Sequence, residues 1–268
     1  MPTQAQTQAQ SETQGHKSLK NIDAFIFDVF GTVVDWRTSV VRELQELGKK
    51  HGFDPQSVNW GKFAQEWRMG YMQNTRRLAT EGSASDSFNV DVMHRQLLDE
   101  LLTKPEWSAY GSLWTEEEKR QLNLVWHRLD GWPDTVPWLN ELKKDKIIVT
   151  LSNGNMRLLI DMAKYANLPW DTIFSTELFD TFKPNPRPYL SVARHLSLPP
   201  ERCAMVATHI FDLRAAGSLG LTTIYVPRPD EDVDLQDGEI VKTKADGGEV
   251  DIVVDSFEGI VRLVRGLD

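Results

Sequence analysis

The sequence holds one cysteine, Cys203, in 268 residues. A lone thiol excludes an intrachain disulfide and fits a reducing compartment. Long apolar runs are also missing, since none approaches the roughly 20 residues that a helix needs to cross a bilayer. There is no basic excess: 30 Lys and Arg stand against 39 Asp and Glu, a formal charge of −9. That balance argues against nucleic acid as a partner, because such affinity comes from neutralising phosphates, and against a polybasic membrane anchor. Residues 1–20, MPTQAQTQAQSETQGHKSLK, lack both an apolar stretch and arginine. They match neither a secretory signal nor a mitochondrial presequence, and the expected location is cytoplasmic. Their Gln, Thr and Ser cannot bury enough apolar area to offset chain entropy, so a disordered tail is expected. No G-x-G-x-x-G follows a strand-like run, which removes the dinucleotide fingerprint. His16, His51, His94, His127 and His195 show no metal-ligand spacing.

What is present is ordinary globular composition, 40% hydrophobic and 26% charged. The length suits one large domain or a core with an insertion. Residues 22–30, IDAFIFDVF, are β-branched and aromatic, too short for a buried helix, and read as a central strand. Runs at 146–151 (KIIVTL), 203–207 (CAMVA) and 222–226 (TTIYV) follow the same grammar, with a weaker one at 251–254. Cys203 falls inside such a run and reads as a small buried apolar residue. Helical patterns at 155–167, 186–198 and 212–219 lie between the strands. The alternation predicts an α/β fold, a Rossmann-like parallel sheet flanked by helices, with ligands beyond the carboxyl ends of the strands.

Residues 37–130 break the rhythm, for no strand-like run occurs there. Trp60, Phe63, Trp67, Tyr71, Asn74 and Leu78 recur at helical spacing, and Thr115 with Glu118 forms a capping box. Seven of the nine tryptophans fall between Trp36 and Trp132. The segment reads as an inserted helical domain whose rings either fill its own core or form an apolar surface. The expected division is a tail at 1–20, a core at 21–36 and 131–268, and the helical insertion at 37–130. Residues 228–250, acidic and Gly-rich, read as a surface loop or hairpin, either a solvated excursion or a partner-binding element.

Four strand ends carry chemistry. Asp28-Val29-Phe30-Gly31-Thr32 puts a carboxylate where the sheet opens, with a glycine to let the backbone turn. Such a carboxylate can form a covalent ester or merely cap the turn. Ser152-Asn153-Gly154, between a strand and a helix, can hold an anion or act as an ordinary N-cap. In residues 183–189, KPNPRPY, the prolines frame a rigid loop, and Lys183 on it is either a surface lysine or a cation held pointing inward. Residues 206–212 end on His209, either a general base near neutral pH or a hydrogen-bonding loop residue, and on Asp212 at a helix start.

Together these four elements resemble the haloacid dehalogenase superfamily over about residues 20–226. DVFGTVVDW, LSNGN, KPNPRPY, the spacing to HIFDLRAAG and the helical insertion resemble its type II L-2-haloacid dehalogenases, in which the insertion is a cap domain. The resemblance implies that Asp28 is the nucleophile, with Thr32 hydrogen-bonded near it. Ser152 and Asn153 would bind a substrate carboxylate or position the loop. Lys183 would stabilise Asp28 and its ester, with Tyr189 close by. Asp212 would order the loop and help position water. Arg68, in EWRMGYM, would receive the halide. The implied partner is a small anionic substrate, and a homodimer is left open because family enzymes are often dimers.

Phosphatases of the superfamily normally carry a second Asp two residues after the nucleophile, to protonate a leaving alcohol. Here Phe30 stands there. A halide needs no proton on leaving, so Phe30 is compatible with carbon–halogen displacement and no cofactor is required. The alternative is a Mg²⁺-dependent phosphatase with Asp28 and Asp212 as ligands; a non-catalytic binding protein is a third class. One motif departs from the family. Where Ser-Ser-Asn is usual, this chain has Ala207, Thr208 and His209. His209 is expected either to take over a water-positioning or base role, or to mark a subgroup with another substrate.

Overall fold

The computed structural model describes residues 19–54, 56–81, 89–232, 234–235 and 239–267. Six parallel strands form the core sheet: β1 (Ala24–Phe27), β4 (Ile147–Ser152), β5 (Thr172–Ser175), β6 (Cys203–Ala207), β7 (Thr222–Tyr225) and β8 (Ile252–Val253). Their order is β5-β4-β1-β6-β7-β8. All of β1 is buried, because it is central and covered on both faces. Phe25 and Phe27 pack on one side with Leu139 and Leu142 of α6 (Thr135–Leu142), Leu158 and Met162 of α7 (Met156–Tyr165), and Phe257 and Ile260 of α10 (Phe257–Arg265). Ala24 and Ile26 point the other way, toward Tyr189 and Val192 of α8 (Pro186–His195) and Ile210 and Leu213 of α9 (Ile210–Ser218). This two-sided burial is why the strands read as continuous apolar runs without alternation. Cys203 is buried in β6, as its run predicts.

After β1 the chain leaves the sheet through a small ladder. β2 (Val34–Asp35) pairs antiparallel with β3 (Asp130–Gly131), so departure and return lie side by side. Between them run α1 (Trp36–Lys50), α2 (Trp60–Glu81), α3 (Val90–Leu101), α4 (Ser108–Leu113) and α5 (Glu116–Asn123), then a 3₁₀ turn, Leu124–His127. The Thr115–Glu118 capping box is present in both directions. Trp60, Trp67, Trp107, Trp114 and Trp126 are buried among one another and Phe63, so most of the insertion's tryptophans fill its own core.

Three expectations change. The expected tail at 1–20 lies outside the described residues up to 18, but Leu19 is fully buried and begins a 3₁₀ turn packed near α10. A single large aliphatic side chain suffices to anchor it. Helix α9 begins at Ile210, with His209 as its N-cap, so Asp212 sits inside the first turn. The 228–250 segment is not a wholly solvated excursion, because the side chains of Arg228 and Glu231 are buried in it. β2, β3 and β5 were not signalled by periodicity; two to four residues are too few to show one.

His127 ties the insertion to the core. Its Nδ1 lies 3.0 Å from Asp161 of α7 and its Nε2 2.9 Å from Asp91 of α3. Two carboxylates require both ring nitrogens to donate, which only the imidazolium can do. Burial opposes that charge, but Asp91 and Asp161 outweigh it and raise the His127 pKa above its ordinary value. The linked stability is complete below the unfolded histidine value and is lost as pH rises through the higher folded one. His127→Gln is predicted to cost about 2 kcal/mol below the unfolded histidine value, shrinking as pH rises through the higher folded one, in urea unfolding across a pH series. A deficit independent of pH would contradict the charged clamp.

Candidate active site

Strand order reverses about β1, so the crevice beyond its carboxyl end is where this architecture places a ligand. Asp28 is the first residue past that strand and is 6% exposed. The chain then turns sharply at Gly31, whose φ of +83° lies in the left-handed region. The turn brings Thr32 back, and its Oγ1 donates to Asp28 Oδ2 at 2.8 Å. Thr32 Oγ1 also accepts from the Thr208 N–H at 3.0 Å, which leaves its own hydrogen for Asp28.

Lys183 arrives from the proline-framed loop before α8. Its Nζ donates to Asp28 Oδ1 at 2.9 Å and to Asp212 Oδ2. Asn153, just past β4, positions that loop: its Oδ1 accepts from the Lys183 N–H at 2.8 Å and from Thr176 Oγ1 at 3.3 Å. Tyr189 donates its hydroxyl to Asp212 Oδ1. Ser152 Oγ accepts from the Gly154 N–H at 3.2 Å and lines the same cavity. His209 Nδ1 lies 3.1 Å from Asp28 Oδ2. Thr32, Lys183 and His209 thus meet on Asp28; Asp212 and Tyr189 lie behind Lys183, and Ser152 and Asn153 line the cavity.

The electrostatics follow from who is buried with whom. Burial alone would push the Asp28 pKa up, but Lys183 and then His209 outweigh it and hold the carboxyl far below the usual range. Burial would also strip the proton from Lys183; Asp212 and Asp28 reverse that and raise its pKa. Asp212 is raised by burial and the neighbouring Asp28 charge, against the pull of Lys183. Burial and Asp212 keep the Tyr189 hydroxyl protonated by raising it well above its ordinary value. For His209 burial again opposes charge, but Asp28 and Glu231 win and push it up to about 9. That shift favours the imidazolium over the neutral imidazole that a base requires. In this state the ring is a donor.

Arg68 reaches the cavity from α2 and is 5% exposed. Its guanidinium lies 5.2 Å from the ring centre of Phe30, 5.7 Å from Trp36 and 5.0 Å from Tyr71. Nη1 is buried without a hydrogen-bond partner. A desolvated cation flanked by aromatic rings, with no carboxylate against it among the described residues, is an anion-binding feature. The cavity between Asp28 and Arg68 encloses about 30 Å³.

Several lining residues were not anticipated. Tyr71 and Thr75 stand one and two turns beyond Arg68 on the same face of α2, a spacing that could have exposed them. Phe211 follows His209, and Arg76 lies over its ring at 4.7 Å while pairing with Asp234 at 2.6 Å. Glu231 comes from the acidic segment after β7, and no local signal marks it.

For Mg²⁺ the expected ligands are Asp28 and Asp212 with the Phe30 backbone carbonyl; here the Lys183 ammonium bridges the two carboxylates. Among the described residues no group of three His, Cys, Asp or Glu could hold a metal ion.

These features define a hydrolase of known kind. The chain belongs to the haloacid dehalogenase-like hydrolases, whose family model matches residues 22–220. It is similar to (S)-2-haloacid dehalogenase 1 of Pseudomonas sp. (strain CBS-3), 26% identical over 210 residues, which cover 77% of this chain and 85% of the relative. A solved L-2-haloacid dehalogenase superposes with a TM-score of 0.76 at 32% identity, over 90% of this chain and 98% of that one. A defluorinating L-2-haloacid dehalogenase gives 0.77 at 32%, over 91% and 95%.

Replacing Lys183 by Met strands two buried carboxylates. The variant is predicted to lose about 3–5 kcal/mol of unfolding free energy at neutral pH, measured with urea. A loss below about 1 kcal/mol, the scale of an exposed pair, would contradict the shared-ammonium arrangement.

Proposed function

We propose that this chain hydrolyses the carbon–halogen bond of small 2-haloacids to give 2-hydroxy acids through an ester on Asp28. The observation that carries the reading is a buried carboxylate, its pKa held low by Lys183 and His209, facing a buried guanidinium that has no carboxylate partner among the described residues, across a cavity whose neighbouring ring, Phe30, cannot donate a proton. The names of the relatives support the same chemistry.

Asp28 Oδ2 already accepts from Thr32 and faces His209, whereas Oδ1 accepts from Lys183 alone among the described residues. We therefore assign Oδ1 as the attacking atom. It bonds to C2 of the haloacid from the face opposite the halogen, the carbon–halogen bond breaks, and the halide leaves with the electron pair toward Arg68. Ser152 and Asn153, on the cavity wall, take the substrate carboxylate. Water then attacks Cγ of the ester. The charge that develops on Oδ2 is met by the Thr32 hydroxyl and the His209 N–H, donors already in place. The water proton passes to Asp212, whose basicity burial raises. Lys183, beside Oδ1, protonates the departing alkoxide and recovers that proton from Asp212. The product carries the Asp28 oxygen and an inverted C2, and Asp28 releases the remaining proton to solvent. No step needs a metal or an organic cofactor.

The test is a single turnover in oxygen-18 water with L-2-chloropropionate. The label is predicted in the Asp28 carboxylate and not in the first-formed lactate, with halide released in step and unaffected by chelator. Label in the lactate alone, or Mg²⁺-dependent release of phosphate from an aryl phosphate without halide release from either chloropropionate enantiomer, would overturn the reading. Replacing Arg68 by Met, which keeps the bulk but removes the cation, is predicted to slow halide release by about 10²-fold or more, read in the pre-steady-state phase. An unchanged rate there would remove Arg68 from the halide's path.

A further inference from the structure

Glu231 has no part in the chemistry above, yet its side chain is 5% exposed on the far side of the His209 ring from Asp28. A buried carboxylate is costly unless a cation meets it. Its Oε2 lies 3.6 Å from His209 Nε2, an ion-pair separation on the edge of the ring opposite Asp28. The imidazole is thus gripped from two sides. The Glu231 carboxylate can stand there only because position 31 has no side chain: a Cβ on Gly31 would fall 2.1 Å from Oε2.

The segment carrying Glu231 is fixed at three points. Arg228 grips Asp134 with both terminal nitrogens, at 2.8 and 3.1 Å, and donates Nε to the Thr32 carbonyl at 3.1 Å. Asp232 Oδ2 accepts the Ile210 N–H at 2.9 Å, one residue past His209. Gly31 supplies the space between. These contacts tie the position of Glu231 to the same turn that presents Thr32 and to the helix start that presents His209.

The consequence appears when Asp28 is esterified. Its charge vanishes, and His209 loses one of the two carboxylates that hold the ring. We infer that Glu231 is a positioning residue that keeps the His209 ring aimed at Asp28 Oδ2 during the ester stage, so that the donor for ester hydrolysis outlasts the charge that first oriented it. The inference rests on the proposed function and names the residue that serves its second step. In that step water adds to Cγ, the bond from Cγ to the alkyl oxygen breaks, and Glu231 exchanges no atoms. Around the ring the charged groups are Asp28 from the end of β1, and Glu231 and Asp232 from the segment after β7; Lys183 lies beyond Asp28.

The experiment is rapid-quench kinetics on the full chain with L-2-chloropropionate, following halide and the intact mass of the protein. Wild type is expected to release halide steadily. Glu231→Gln is expected to give a stoichiometric halide burst within about threefold of the wild-type rate, then turnover about 10- to 100-fold slower, with the protein accumulating as the Asp28 ester. Glu231→Asp is expected to recover part of the turnover. Unchanged turnover without ester, or an equal fall in burst and turnover, overturns the inference, since a merely structural role would slow both steps together. If Glu231→Gln does not fold, nitrogen-15 NMR of His209 in Asp28→Asn decides, the amide standing in for the neutral ester. Both ring nitrogens protonated at neutral pH supports the pairing; a bare nitrogen overturns it. Failure of the proposed function is seen separately, as wild type that releases no halide and forms no ester.

Discussion

One ammonium shared by two buried carboxylates sets the terms for the rest of the molecule. Lys183 bridges Asp28 and Asp212, all three nearly sealed from water, where an unmatched charge is expensive. Outward from this bridge, His209 faces Asp28 on one side and Glu231 on the other, and Arg68 lies apart from them across the cavity. The proposed substrate, a small 2-haloacid, would lie between Asp28 and Arg68. Two cations, Lys183 and His209, hold Asp28 ionised although it is buried, which is the state the proposed nucleophile requires.

The fold supplies this cluster by putting short polar turns at the ends of strands that are otherwise wholly apolar. β1 contributes Asp28, β4 is followed by Asn153, which fixes the Lys183 loop, and β6 leads to His209 at the start of α9. The insertion adds what the sheet cannot, a helix lying over the opening. Arg68, Tyr71 and Thr75 of α2 close the cavity from above, and Phe30 packs between the two parts. The β2–β3 ladder and the His127 clamp hold that lid in register with the core. Chemistry, in this arrangement, depends on contacts made far along the chain from Asp28.

Much of this was legible in the residues. The strand at Asp28 announced itself through β-branched and aromatic density, and the proline frame around Lys183 singled out a candidate fixed cation. The capping box at Thr115 and the helical spacing from Trp60 to Leu78 exposed the insertion. Arg68 was legible only through resemblance, because an arginine on a helix ordinarily points to solvent. The misses have a common cause. Glu231 sits in an acidic, Gly-rich stretch whose composition reads as solvated, and nothing local reveals that Arg228 and Asp232 fold it back onto the site. The second carboxylate facing His209 comes from that same stretch and was equally hidden. Strands of two residues carry no period, so β2 and β3 could not be seen in advance.

The account stands on Asp28 being ionised in its buried place. Carbon-13 NMR of the Asp28 carboxyl carbon, followed from about pH 8 down to about pH 4, measures this without reference to turnover. The predicted result is a resonance that stays at its carboxylate position throughout. A titration with its midpoint in the ordinary carboxylate range or above would mean that Lys183 and His209 do not hold the charge, and the nucleophile assigned here would be lost.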